Sequence, residues 1–81
     1  METQVVTRCK MRVEEVTRLI DAEGNVTSER VKLRAVYGDS DENKEWSKWT
    51  PSASLDITIS NPHAYGSLAN GHEFYVDFTP A

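Results

Sequence analysis

The sequence has few of the residues that build compact catalytic or metal sites. It contains one cysteine, two histidines and four glycines in 81 residues. A single cysteine cannot form an intramolecular disulfide, so Cys9 is expected to be a buried thiol in a protein of a reducing compartment. Neither a glycine-rich phosphate loop nor a glycine-flanked serine nucleophile is present. The sequence therefore predicts a protein that is not an enzyme.

Metal-binding and membrane-spanning patterns are absent as well. The soft metal ligands are Cys9, His63 and His72, and their spacing fits no zinc site. Residues 39–50 open like a calcium loop, but Lys44 stands where glycine is needed and Thr50 where a bidentate glutamate is needed. No run reaches transmembrane length, and the start has no basic segment followed by an apolar one. We expect a soluble, unprocessed protein with no cofactor, metal or membrane partner.

The charged residues are unevenly distributed along the chain. Residues 1–37 hold seven of the nine basic residues against six acids, whereas residues 38–81 hold only Lys44 and Lys48 against seven acids. The net charge is −4. This balance disfavours a uniformly basic nucleic-acid binder but leaves room for a local basic face.

The predicted fold is organised around a long β-hairpin over residues 7–37. Residues 9–13 and 30–35 alternate polar and apolar side chains, as half-buried strands do. Gly24 and Asn25 between them suit a turn with positive φ. The alternation changes phase after Glu14 and Glu15, which predicts a β-bulge. The alternative for residues 13–20 is a helix, since their apolar residues also fit helical spacing and Gly24 would end it.

The second half of the chain predicts a loop, two strands and a short helix. Residues 39–43 are acidic and predict an exposed loop. Residues 54–60 and 73–78 alternate as strands. Asn61 and Pro62 form a helix start, so a two-turn helix is expected from His63 to Ala69 before Asn70 and Gly71 stop it. A further short strand around residues 45–49 would complete a five-stranded barrel.

These elements predict one small domain over residues 1–81, with residues 1–6 flexible. The fold class is mainly β with one short helix, in the order β-β-β-α-β. Its architecture is expected to be a small open barrel of the OB-like or SH3-like type.

Both tryptophans lie in the segment of residues 45–51. In an extended chain, residues three apart face opposite sides, so one ring is expected to be buried and the other exposed. We predict that Trp49 is buried, since it directly precedes the return of the chain to the sheet at Pro51. Trp46, with Lys44 and Lys48, is then available to a partner.

A cluster of cations is expected on the outer face of the hairpin. Its predicted members are Arg8, Lys10, Arg12, Arg30, Lys32 and Arg34. The simpler interpretation is a solvated face whose charge prevents edge pairing. The functional interpretation is a surface for phosphates or for an acidic protein, including the acidic second half of another copy.

Three segments of the second half resemble small uncharacterised proteins of tailed phages and prophages. They are the hexapeptide from Trp46 to Pro51, the tetrapeptide from Ile59 to Pro62, and residues 71–80. The resemblance implies a compact phage accessory protein, found in the virion or in the cytoplasm of an infected bacterium. It carries over no catalytic or binding residues.

The function predicted from the sequence is non-enzymatic and rests on protein binding, as in a virion structural or decoration component. The partner is expected to be the protein itself or another phage or host protein. Two alternatives stay open at this point. One is an OB-like protein that binds single-stranded nucleic acid, and the other is an early phage protein that inhibits a host enzyme or defence system.

Overall fold

A computed structural model describes residues 7–38 and 40–81 of the chain. The elements in chain order are β1 (Thr7–Ile20), β2 (Val26–Ala35), α1 (Asp41–Trp49), β3 (Ser54–Ile59), a 3-10 turn (Pro62–Ala64) and β4 (Glu73–Phe78). The strands form one antiparallel sheet in the order β3-β2-β1-β4. The fold is therefore mainly β with one short helix, as predicted. The helix precedes the third strand, however, and does not follow it.

The β1–β2 hairpin has the predicted turn and the predicted bulge. The Asp21 carboxylate accepts the N–H groups of Glu23 and Asn25, both at 2.9 Å, and Gly24 has a φ of 87°. Pairing shifts by one residue between Val13 and Glu15, so the alternation of β1 reverses at this point. Residues 13–20 are strand, and the helical alternative is wrong.

The sheet has two chemically different faces, set by the alternation of side chains along each strand. The apolar face contains the buried cluster of Cys9, Met11, Val13, Val31 and Leu33. Half-buried side chains of the outer strands extend this cluster, including Leu55, Ile57, Phe74 and Val76. The opposite face, called the charged face below, contains the predicted hairpin cations and the acidic residues of β3 and β4.

Residues 41–49 form a helix, so the predicted fifth strand around residues 45–49 is wrong, and so is the predicted loop conformation of residues 41–43. Residues 40–42 are exposed as predicted, and residue 39 lies outside the described residues. Ser40 caps the helix by accepting the Asn43 N–H at 3.1 Å. Asp41 and Glu42 lie in the first turn and Lys48 in the last, where their charges complement the helix dipole. No apolar stripe marks the helix, because it packs over the charged face mainly through polar groups.

The predicted helix over residues 63–69 is also wrong in length. Asn61 accepts the His63 N–H at 3.0 Å as predicted for a cap, but only one 3-10 turn follows. Gly66, with a φ of 82°, then turns the chain. The following residues cross the apolar face, where Leu68 packs against the core.

The molecule is flat, with extents of 46 × 39 × 16 Å. β3 and β4 form the two edges of the sheet, and among the described residues these strands do not pair with each other to close a barrel. In residues 7–38 and 40–81, no helix has the length and apolar character needed to span a bilayer. The expected flexibility of residues 1–6 lies outside the described residues.

Candidate functional site

The six predicted hairpin cations lie together on the charged face, and each one has an acidic partner. The pairs are Arg8–Asp77, Lys10–Glu42, Arg12–Glu73, Arg30–Asp56, Lys32–Glu15 and Arg34–Glu14. Six carboxylates thus balance six cations. Four of these carboxylates come from the acidic second half, three on β3 and β4 and one on α1, so the fold places them beside bases of the first half.

Two of the pairs are bidentate. The Arg8 guanidinium donates to both Asp77 oxygens at 2.6 and 3.0 Å. Arg30 does the same to Asp56 at 2.9 and 2.7 Å. Two parallel bonds fix the guanidinium plane, which a single contact does not do.

Glu73 joins three elements through its carboxylate. Arg12 Nε on β1 donates to Oε2 at 3.0 Å, and Asn43 Nδ2 on α1 donates to the same oxygen at 3.0 Å. The hydrogen bond from Arg12 lowers the Glu73 pKa, with a further contribution from Asn43 and opposition from burial. Arg8 and Arg30 likewise lower the pKa values of their partners Asp77 and Asp56. These carboxylates are therefore ionised at neutral pH.

An aromatic pair fastens α1 to the charged face. The Trp46 and Tyr75 ring centroids are 5.5 Å apart, and the ring planes are inclined by 55°. The Tyr75 hydroxyl donates to Glu42 on the same helix, and this bond raises the Tyr75 pKa. Arg8 and Lys10 flank the Tyr75 ring, at 5.7 and 5.8 Å from its centroid.

Trp49 points away from the sheet, so the predicted burial of the two tryptophans is reversed. Trp49 is 70% exposed, whereas Trp46 is half-buried. The prediction assumed an extended segment. In a helix, residues three apart lie on neighbouring positions of the surface, and only Trp46 is turned towards Tyr75.

The Trp49 ring is held in place by its helical neighbours. Its Nε1 donates to Glu45 at 2.8 Å, and Lys48 Nζ lies 5.1 Å from the ring centroid. Tyr75 is also well exposed, at 52%. Trp46, Trp49, Tyr75 and Lys48 together are called the aromatic surface below. Lys44, the remaining predicted partner-binding residue of this region, is exposed on the same helix.

Sequence reasoning missed Tyr75, Glu42 and Glu45 as parts of this surface. Period-two alternation in residues 73–78 did predict that Tyr75 lies on the face of the sheet away from the core. Its neighbours depend on the pairing of β1 with β4 and on a helix that the sequence pattern did not predict.

A second polar cluster lies on the apolar face, around a carboxylate that was not singled out from the sequence. Glu29 is fully buried. Arg18 Nε donates to Oε2 at 2.9 Å, and the Gly66 N–H lies 3.3 and 3.2 Å from the two oxygens. Tyr65 donates to the Thr27 carbonyl at 2.9 Å. These bonds tie the segment after the 3-10 turn to β2, which indicates a structural role for Glu29.

Among the described residues, no cluster of three or more histidine, cysteine or acidic side chains has a geometry suited to a metal ion. Cys9 is a buried free thiol. No protein-family model, curated protein or solved structure matches the chain.

Proposed function

We propose that the protein is a non-enzymatic accessory protein that acts by binding another protein through the aromatic surface. The observation that carries the proposal is the exposure of Trp49, at 70%, on a helix fixed to the sheet. Tryptophan, tyrosine and arginine are the residues that most often dominate the energy of protein interfaces. A ring already held by Glu45 and Lys48 loses little conformational freedom on binding.

We further propose a tailed-phage origin for this activity, with a virion structural or decoration component as the first choice. The resemblance of the segments at Trp46, Ile59 and residues 71–80 supports the origin. In the described part of the chain, β3 and β4 are edge strands of a flat sheet, and edge strands can pair with further strands in an assembly. The alternative, which also acts by binding a protein, is an early phage protein that inhibits a host enzyme or defence system.

The architecture is proposed to be an open relative of the OB-like or SH3-like small barrels. β1 pairs with β4 from Thr7 to Arg12 and with β2 from Met11 to Ile20, with a bulge between Val13 and Glu15. A bulged strand shared in this way is how a sheet curls towards a barrel. Fold likeness at this level does not select a function.

Single-stranded nucleic-acid binding is the weaker alternative. The aromatic surface would suit base stacking, but the hairpin cations are already paired with carboxylates. Phosphates would have to displace those partners. We therefore expect oligonucleotides to leave the tryptophan fluorescence unchanged at low salt, and salt-sensitive quenching would favour this alternative.

The experiment that tests protein binding compares Trp49→Ala with Tyr37→Ala. Tyr37 is a matched control because it is a similarly exposed aromatic residue, at 63%, outside the aromatic surface. Immobilised wild-type protein and the Tyr37 variant are expected to capture the same specific protein from disrupted virions or infected cells. Trp49→Ala is expected to lose it. Equal capture by all three proteins would contradict the proposal.

A further inference from the structure

We propose that the aromatic surface lies beside a self-association edge, and that β4 pairs antiparallel with β4 of a second copy. This inference rests on the proposed protein-binding function and names a partner for it. The two strands would meet across a twofold axis at Val76, which joins two four-stranded sheets into one continuous sheet of eight strands.

Successive residues of β4 direct their backbone N–H and C=O groups alternately towards β1 and away from the sheet. On β1, the Lys10 carbonyl points towards β2, where it accepts the Val36 N–H. The backbone groups of Val13 point towards β4: its N–H donates to the His72 carbonyl, and its carbonyl accepts the Gly71 N–H. Alternation along β1 therefore directs the backbone groups of Cys9 and Met11 towards β4. Their partners on β4 are Val76 and Phe74.

It follows that the backbone groups of Glu73, Tyr75 and Asp77 point outward from the sheet. β4 carries no lysine or proline, the residues that commonly protect an edge strand from pairing. Its pairing with β1 is regular from Thr7 to Arg12. The edge is therefore a regular hydrogen-bonding template.

Charge selects one register for this edge. Twofold registers centred on Phe74 or Asp77 pair only three residues of β4 with the second β4, whereas those centred on Tyr75 or Val76 pair five. Centring on Tyr75 places Glu73 opposite Asp77 of the second copy, and centring on Asp77 places two aspartates opposite each other. Like charges directly opposite are destabilising. Centring on Val76 sets Tyr75 opposite Asp77 and avoids both clashes.

The same register covers apolar side chains that the isolated chain leaves in water. Phe78 is 50% exposed on the apolar face, and it would lie opposite Phe74 of the second copy. On the charged face, a twofold axis perpendicular to the sheet places both α1 helices on the same side. Tyr75 of each copy would then lie beside the axis, on the same side of the joined sheet as both helices.

The other edge offers less to a second copy. The apolar side chains of β3 are Leu55, Ile57 and Ile59, and all three are already half-buried. The highly exposed aromatic residues of the strands, Tyr75 and Phe78, both belong to β4. We therefore assign the association to β4 and use β3 as its internal control.

The test is a cysteine at the predicted axis. Val76 would form a non-hydrogen-bonded pair with its own symmetry copy, at about 4.5 Å between Cα atoms. This distance lies within the range of about 4.4–6.8 Å that disulfides span. Both cysteine variants are made in a Cys9→Ala background, because the free thiol of Cys9 lies directly opposite Val76 and could form an intramolecular disulfide with the new cysteine. In this background, Val76→Cys is expected to form a disulfide-linked dimer under mild oxidation at micromolar concentration. Ile57→Cys, the equivalent position on the β3 edge, is expected to stay monomeric on a non-reducing gel.

Light scattering, which measures the molar mass in solution, compares the wild-type protein with the Phe78→Lys variant as a second test. The wild-type protein is expected to have twice the monomer mass, and Phe78→Lys the mass of a monomer. Leu19→Lys is the control, because Leu19 is 58% exposed at the far end of the hairpin. It should stay dimeric, and circular dichroism should show that both variants are folded.

A monomeric wild-type protein, or a dimer linked by Ile57→Cys and not by Val76→Cys, would overturn the β4 proposal. Protein binding would survive that result if capture of another protein still required Trp49. If capture is also independent of Trp49, then the proposed function fails separately.

Discussion

The Trp46 ring lies against Tyr75 at a centroid distance of 5.5 Å, and this contact joins the helix to the edge strand. Trp46 is half-buried between α1 and the sheet, whereas Trp49, three residues on, is in solvent. One tryptophan therefore contributes to stability and the other is free to contribute to binding.

Replacing each tryptophan by alanine separates these roles. Trp46→Ala should lower the free energy of unfolding by about 1–2 kcal/mol, because it removes an aromatic pair and half-buried area. Trp49→Ala should change it by less than about 0.5 kcal/mol, as exposed substitutions usually do. Urea denaturation followed by circular dichroism measures both. A larger loss for Trp49→Ala would mean that the helix is oriented differently.

The buried carboxylate of Glu29 predicts an order of stabilities. Arg18→Met should cost about 3 kcal/mol, because it leaves a buried charge with only the Gly66 N–H as partner. Glu29→Gln should cost about 1 kcal/mol, since a neutral amide oxygen can still accept that N–H. Adding Glu29→Gln to Arg18→Met should restore part of the lost stability, as measured by urea denaturation.

Arg30→Met is the matched control for that series. Arg30 also pairs with one carboxylate, Asp56, but both side chains are about half exposed, at 56% and 45%. Its removal should cost less than about 1 kcal/mol, as is usual for surface pairs. Equal costs for Arg18→Met and Arg30→Met would contradict the buried state of Glu29.

Acid should destabilise the protein through its paired carboxylates. Hydrogen bonds from arginines lower the folded-state pKa values of Glu73, Asp77 and Asp56 below their unfolded values, which lie near 4. Such groups stabilise the fold fully above the unfolded pKa, and this contribution is lost as pH falls through the folded pKa. The melting temperature should therefore fall between about pH 5 and pH 2.

Glu73→Gln should reduce this acid dependence, since the variant has one fewer depressed carboxylate. Glu23→Gln, in the exposed hairpin turn, is the control and should keep the wild-type pH profile. Thermal melts at several pH values compare the three proteins. Identical profiles for Glu73→Gln and wild type would show that the bridge between Arg12 and Asn43 does not form.

The helix cap predicts a smaller, local effect. Ser40→Ala removes the oxygen that accepts the Asn43 N–H, which should cost about 1 kcal/mol. The loss should loosen the start of α1 and increase the solvent exposure of Trp46. Hydrogen exchange of the amides in residues 41–46 measures this directly. Ser60→Ala, in the exposed segment after β3, should leave those exchange rates unchanged.

The strands were predictable because their signal is local. Alternation located β3 and β4, the phase change after Glu14 and Glu15 located the bulge, and Gly24 located the turn. The helix was not predictable from periodicity, since only Trp46 and Trp49 interrupt its polar residues and it packs on charged side chains.

The pairing of the cations could not be read from the sequence for a different reason. Arg8 and Asp77 are 69 residues apart, and their contact depends on which strand lies beside β1. The composition of residues 1–37 indicated a basic surface, but the sheet order neutralises it. The exposure of Trp49 could not be predicted either, because it depends on how α1 packs on that sheet.

The shared strand β1 has a consequence for the path of folding. Residues 11–20 of β1 meet β2 across a short turn, whereas residues 7–12 meet β4 only after about 60 intervening residues. Closing the longer loop costs more chain entropy, so the hairpin should form first and β4 should dock later. In φ-value analysis, Val31→Ala should then give a high value and Val76→Ala a low one. Until docking, the backbone groups of Cys9 and Met11 that face β4 lack hydrogen-bonding partners, so this early stage is the one most open to mispairing between chains.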